Sequence, residues 1–347
     1  MPMPAKEKLY DVVALTAVCV DIRVESTDAA LKEYGVVKGD STVVSAETLK
    51  KILIGHENDR AAGSAGGNVA AGISLRGGKS AIIGKIANDA NGAFFAKRVT
   101  QNDIHYEPVY STNKDTATTA VAALITPDKE RSFAFLPGAG AELTAEEVES
   151  QRGLIAQAKV TYLDSYLWLS ESGRAAVQHA TELARESGSR VAIAINSANV
   201  VAQNQAGFLA LIQKGDIIAG DESEFATLLG TTSIEESAQK LNALGVTASI
   251  TAGAKGAYVV DAGTVNFVPS LKVPKEKIVD TNGAGDSFAS GFIYGLANGK
   301  NAVEAGQQGA TWAAAVIQHA GAEPRVGKNA LPAPTAPTTP TTNTFHL

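Results

Sequence analysis

Residues 9–20, LYDVVALTAVCV, form an almost unbroken apolar run that ends at Asp21. Such a run falls short of the ~20 residues that cross a bilayer and suits a strand buried on both faces. Similar short runs recur at Ser80–Ile83, Val160–Leu163, Val191–Ile195, Asp216–Ala219, Ala248–Ile250 and Ala257–Val260. Helix-like stretches lie between several of them, among them Glu171–Glu186 and Ser233–Leu244. Strand–helix alternation of this kind predicts an α/β fold, with a central, mostly parallel sheet flanked by helices.

Two stretches break the alternation. Asp40–Val44 and Thr116–Leu136 read as half-buried strands, the second folded back at Thr126–Arg131 (TPDKER). With strands near residues 22–45, this hairpin forms either a small β lid over a site (about 22–45 and 110–137) or an ordinary edge hairpin; the pattern alone leaves both open. The Pro/Thr-rich tail, residues 331–347, has no periodic apolar face and is expected to be disordered, leaving residues 1–330 as the folded domain.

Composition narrows the function. Among 347 residues, 45% are hydrophobic and 19% charged, enough apolar material for a large core. Thirty Lys+Arg against 36 Asp+Glu leave a net charge of −6, so no nucleic-acid partner is expected. A lone cysteine, Cys19, forms no internal disulfide or Cys-rich zinc site and fits a reducing compartment. The start, MPMPAKEKLY, has no hydrophobic signal core, and no run is long enough to span a membrane. A soluble cytoplasmic protein is expected.

Several motifs fail on inspection. Gly72–Ser80 (GISLRGGKS) places its first glycine one position too early for a phosphate loop, and Gly77-Gly78 reads as a helix end. No GxGxxG follows the first strand, which disfavours a dinucleotide-dependent oxidoreductase. The five histidines show no metal-ligand spacing.

The chemistry concentrates in Val279–Gly291, VDTNGAGDSFASG, ahead of a strongly helical stretch over Ser287–Ala297. A glycine-rich turn at a helix N-terminus leaves backbone N–H groups unpaired, and with the helix dipole these hold an anion. Gly283, Ala284 and Gly285 are therefore candidates for an anion hole. Asp286 reads structurally as a capping carboxylate. Chemically it is a general base beside that hole, taking the proton of an alcohol that attacks a phosphoryl group.

The heptapeptide DTNGAGD (Asp280–Asp286) resembles the DTxGAGD signature of the ribokinase (PfkB) family of carbohydrate and nucleoside kinases. The resemblance covers about residues 9–325 and is strongest to the adenosine-kinase-like branch at Lys159–Trp168 and Val279–Leu296. It implies ATP and Mg²⁺ as cofactors and, in many members, a monovalent cation such as K⁺ beside Asp280; monomer and homodimer both stay open, since nothing in the lid sequence decides between them. It further implies that Asp21 binds sugar hydroxyls, and that Gly63–Gly72 (GSAGGNVAAG) is the GGxxxN signature, with Gly63 near the substrate and Asn68 as its amide ligand. Asp221–Glu224 matches NxxE, with Glu224 organising the metal. Thr251–Gly256 matches the TxGxxG nucleotide loop (Thr251, Gly253, Gly256). Arg131 is a substrate- or phosphate-facing charge, and Gly309 and His319–Ala322 line an adenine pocket. Without the resemblance, Asp21 is equally a turn cap, the glycines allow close helix packing, and Arg131 is an exposed arginine.

Four positions depart from the family pattern: Thr16-Ala17 in place of Gly-Asn, Ser64 for the second glycine of GGxxxN, and Asp221 for the asparagine of NxxE. Loss of an amide at Ala17 removes a substrate hydrogen bond, worth about 1–3 kcal/mol where its partner is left unmatched. The expected activity is ATP-dependent phosphorylation of a primary hydroxyl on a nucleoside. The alternatives are a sugar kinase for ribose, fructose or a sugar acid, and a catalytically weak ligand-binding protein of the same fold.

Overall fold

The computed structural model describes residues 8–322, apart from 57, 129 and 320, together with the backbone of residues 345 and 346. Its centre is a ten-stranded sheet. From His105–Tyr106 through Ser80–Ile83, Tyr10–Leu15, Ala158–Asp164, Arg190–Ala194 and Ile217–Asp221 to Thr247–Thr251, every pairing is parallel. The strands beyond, Gly256–Asp261 and Thr264–Pro269, are antiparallel. Most of the Pro/Thr-rich tail lies outside the described residues; Phe345–His346 adds an antiparallel pair to Thr264–Pro269 at the sheet edge.

Each face of the sheet carries a core. Val13 and Leu15 pack with the helices Glu171–Glu186, Ala198–Leu211 and Ile234–Leu244. Val12 and Ala14, pointing the other way, pack with Ala65–Ser74, Ala284–Ala297 and Ala302–Val316. The near-continuous apolar character of the first strand follows from burial on both sides.

One expectation fails at residues 9–20, which are two strands rather than one. Tyr10–Leu15 ends in the central sheet, and the chain turns through Thr16–Val18 before Cys19–Glu25 joins a second sheet. The break lies where glycines crowd the chain: a Cβ at Gly140 would sit 2.5 Å from the Val18 carbonyl, and one at Gly84 3.1 Å from that of Thr16. Hydropathy is blind to such a corner because the apolar run continues through it into the first residues of the second strand, which becomes half-exposed only after Val20.

The second sheet has five strands in the order Ser41–Val43, Arg131–Phe135, Thr119–Ile125, Cys19–Glu25 and Arg60–Ala62. It takes in Arg60–Ala62, outside the expected lid boundaries, while Val109–Tyr110 pairs elsewhere with Lys85–Ile86. Alternation divides its faces. Val24, Ala122, Leu124 and Ala134 pack under the helices Asp28–Tyr34 and Ala46–Leu53. Cys19, Asp21, Thr119, Val121, Phe133 and Phe135 face a cavity between this sheet and the body. No described helix is long and apolar enough to cross a membrane.

Candidate active site

The cavity has a volume of about 440 Å³ and lies at the carboxyl ends of the parallel strands. Ala194, Gly220, Asp221 and Thr251 come from strand ends or the turns after them. Among the described residues that line it there is no Lys, Arg or His, and the ionisable groups are Cys19, Asp21, Tyr166, Asp221, Glu224 and Asp286.

The helix Ala284–Ala297 opens into this space three residues earlier than the sequence pattern suggested. Gly283 precedes it with φ of 75°, and a Cβ there would sit 2.6 Å from Ala322, so both conformation and space demand glycine. No side chain caps the helix. The Ala284 amide bonds the Thr281 carbonyl at 3.3 Å, which removes it from the expected anion hole. Gly283 and Gly285 line the cavity, and a Cβ at Gly285 would meet nothing within 4 Å. This open first turn presents amides and the positive end of a helix dipole to any anion in the cavity.

Asp286 stands in that first turn and accepts a hydrogen bond from the Asn68 amide at 2.8 Å. Burial pushes its carboxyl up to about 7; the Asn68 bond opposes the rise, and the Asp164 and Asp21 carboxylates add to it. Asn68 is supplied by Ala65–Ser74, whose N-cap, Ser64, accepts from the Gly67 amide at 3.0 Å. Ser64 adopts φ of 73° without being glycine; its hydroxyl serves the cap while the residue also lines the cavity. Asp21 faces the same space, raised to about 6 by burial against the opposing pull of Arg131. Gly63 does not line the cavity, and a Cβ there would fall 2.5 Å from the Asp21 carboxylate. Its role is to let the chain pass behind Asp21.

Asp221 and Glu224 form a capping box at the start of Glu222–Leu229. The Asp221 carboxylate accepts from the Ser223 and Glu224 amides at 2.8 and 2.9 Å, and Glu224 accepts from the Asp221 amide at 2.8 Å. The D-x-x-E spacing is thus also a helix start signal, a reading the sequence analysis did not weigh. Burial pushes Glu224 up to about 8, with Asp221, Asp286 and Asp40 adding repulsion.

Other expected residues fall elsewhere. Thr251 and Gly253 line the cavity, whereas Gly256 sits in the following hairpin, where a Cβ would be 2.2 Å from the Val268 carbonyl. Gly309 packs against Phe288 and Gly291 between two helices. His319 lies in the turn after Ala302–Val316 and does not line the cavity. Arg131 is turned away to Asp280. The sequence analysis also assigned no role to Asp164, a buried carboxyl raised to about 6 that accepts from the Thr16 hydroxyl and the Tyr166 amide. Thr16, one of the four departures, is thereby engaged in a buried network that does not line the cavity; its Oγ1 also accepts from the Gly66 amide at 3.3 Å.

The family model for pfkB family carbohydrate kinases matches residues 36–327. The chain belongs to this family. Within it, the chain is 26% identical over 329 residues to 5-dehydro-2-deoxygluconokinase of Bacillus subtilis, covering 92% of this chain and 93% of that one. It is 30% identical over 251 residues to probable fructokinase-5 of Arabidopsis thaliana, covering 68% and 74%. The crystal structure of adenosine kinase from Sinorhizobium meliloti superposes with a TM-score of 0.85 at 29% identity, covering 92% of this chain and 97% of that one. As a pfkB kinase, the protein is a phosphotransferase, and its ribokinase-like α/β architecture is that of sugar and adenosine kinases.

Proposed function

We propose that the protein transfers the γ-phosphoryl group of ATP to a primary hydroxyl of a neutral nucleoside. The observation that carries this is one cavity holding Asp286, poised near 7 and hydrogen-bonded to Asn68, beside an uncapped helix N-terminus and opposite Asp21. Asp21 and Asn68 orient the sugar through its hydroxyls. Asp286 accepts the proton of the attacking hydroxyl as its oxygen bonds phosphorus and the bond to ADP breaks. The amides at Gly283 and Gly285 hold charge on the phosphoryl oxygens.

The charged side chains lining the cavity among the described residues are acidic, so a polyphosphate is expected to enter with a cation. Glu224, whose charged form is disfavoured by Asp221 and Asp286, is the residue that would organise Mg²⁺ through its waters. Among the described residues no three His, Cys, Asp or Glu side chains are grouped to hold a metal on their own, which fits an ion carried by the nucleotide and its waters. When bound, Mg²⁺ neutralises phosphate charge.

The lid supplies Val121, Phe133 and Phe135 and the body Tyr166 and Leu169, apolar and aromatic surface for a base to pack against. Among the described residues the lining is not basic, which favours a neutral acceptor over a sugar acid. A second reading, a neutral sugar such as fructose, draws on the fructokinase relatives. A panel of nucleosides, neutral sugars and sugar acids, scored by ADP release and by rise in Tm, tests the proposal. Nucleosides are expected to lead both scores. A sugar acid in first place overturns it, and Tm shifts with no ADP release would mark a binding protein.

A further inference from the structure

Arg131 opens the second strand of the lid hairpin, and its guanidinium reaches out of the lid to pair with Asp280. The pair is nearly closed to water, with side-chain exposures of 14% and 2%. The same carboxylate folds the phosphate turn: Oδ1 accepts from the Asn282 amide at 2.9 Å and Oδ2 from the Gly321 amide at 2.6 Å. Gly321 is followed by Ala322, whose backbone confines Gly283. Asp280 therefore holds both walls of the turn, and the full positive charge in contact with it comes from the lid. A buried carboxylate stripped of its partner is strongly destabilised, so carrying Arg131 away must disturb residues 280–283.

We propose that Arg131 is a positioning residue which, through Asp280, assembles the glycine turn when the lid is closed. The inference rests on the phosphotransfer reading above. The turn is then competent only while the lid excludes water, which limits transfer of the phosphoryl group to water, ATP + H₂O giving ADP and phosphate. Two further polar lid contacts among the described residues, Asp40 with Asn199 and Ser41 with Tyr166, reach the body outside residues 280–283. Arg131 is not among the cavity-lining residues; its guanidinium is held by Asp280, and its charge is also felt at Asp21.

The test compares the full-length protein with Arg131→Met, Arg131→Lys, Asp280→Asn and the Met/Asn double variant. Arg131→Met is expected to lower kcat about 10- to 100-fold, with a smaller change in acceptor KM, and to raise the ratio of ATP consumed to acceptor phosphorylated. Arg131→Lys keeps the charge and is expected to restore most of the coupling, which keeps the test sound if the Met variant folds poorly. In the Asp280→Asn background, Arg131→Met is expected to have little further effect. Backbone hydrogen exchange without ligands supplies a readout independent of activity: amides 281–286 should exchange about tenfold faster in Arg131→Met. An unchanged kcat and coupling ratio, a pure KM effect, a full-sized loss in the Asp280→Asn background, or faster exchange confined to the lid would overturn the proposal. Wild-type protein that consumes no ATP with any acceptor would sink the kinase reading instead, with the exchange result still deciding the linkage.

Discussion

The proposed phosphate side of the cavity and the proposed acceptor side are built in opposite ways. The first is local: Gly283, Gly285 and Asp286 lie within one turn at the start of Ala284–Ala297. The second is assembled from Cys19–Glu25, Ala65–Ser74 and the hairpin Thr119–Phe135, brought together by a sheet crossing. A helix N-terminus needs only its own backbone to hold an anion, so transfer chemistry travels in a short string of residues. Recognition of the acceptor depends on the packing of distant segments and is free to drift while transfer is retained.

The largest effect expected from this contrast is on the local side. Asp286→Asn should lower kcat by about 10²–10⁴-fold, while nucleoside still raises Tm, because the acceptor side is intact. Loss of both would merge the two regions into one. Asn68→Ala joins them: it deletes an acceptor ligand and the bond that restrains Asp286. It should cost about 10- to 100-fold in kcat/KM and move the acid limb of the pH profile toward higher pH, since that hydrogen bond holds the Asp286 value down.

The smallest effect concerns stability. Asp21, Asp164, Asp286 and Glu224 all hold protons more tightly folded than unfolded, at about 6, 6, 7 and 8. The folded state keeps protons that the unfolded chain loses near pH 4, so stability falls as pH rises from about 4 to 8. Glu224→Gln retains an acceptor oxygen for the Asp221 amide and removes the charge. It should raise the Tm of ligand-free protein at pH 8 by about 2–4 °C and leave Tm at pH 5 nearly unchanged. An equal shift at both pH values would place the effect outside the carboxylate cluster.

The same contrast governs what was legible in the sequence. Strands and helices of the body announce themselves through apolar period, and Glu171–Glu186 has the same limits in both readings. The DTNGAGD turn is legible because its geometry is written in adjacent residues. The corner at Thr16–Val18 is hidden, because neighbours from Gly84 and Gly140, remote in sequence, create it. Arg131 was expected at the substrate; its pairing with Asp280, 149 residues away, leaves no local trace. Gly256 and Gly309 each sit in a sequence context that suggests a ligand, and in the fold close backbone packing by itself requires glycine at both.

The most direct measurement is the pH dependence of kcat/KM for wild type beside Asp286→Asn, from pH 5.5 to 8.5. A general base raised to about 7 by burial requires an acidic limb centred near that value in wild type, and its absence from the residual activity of the Asn variant. A limb that survives unchanged in Asp286→Asn, or a flat wild-type profile, would contradict the account.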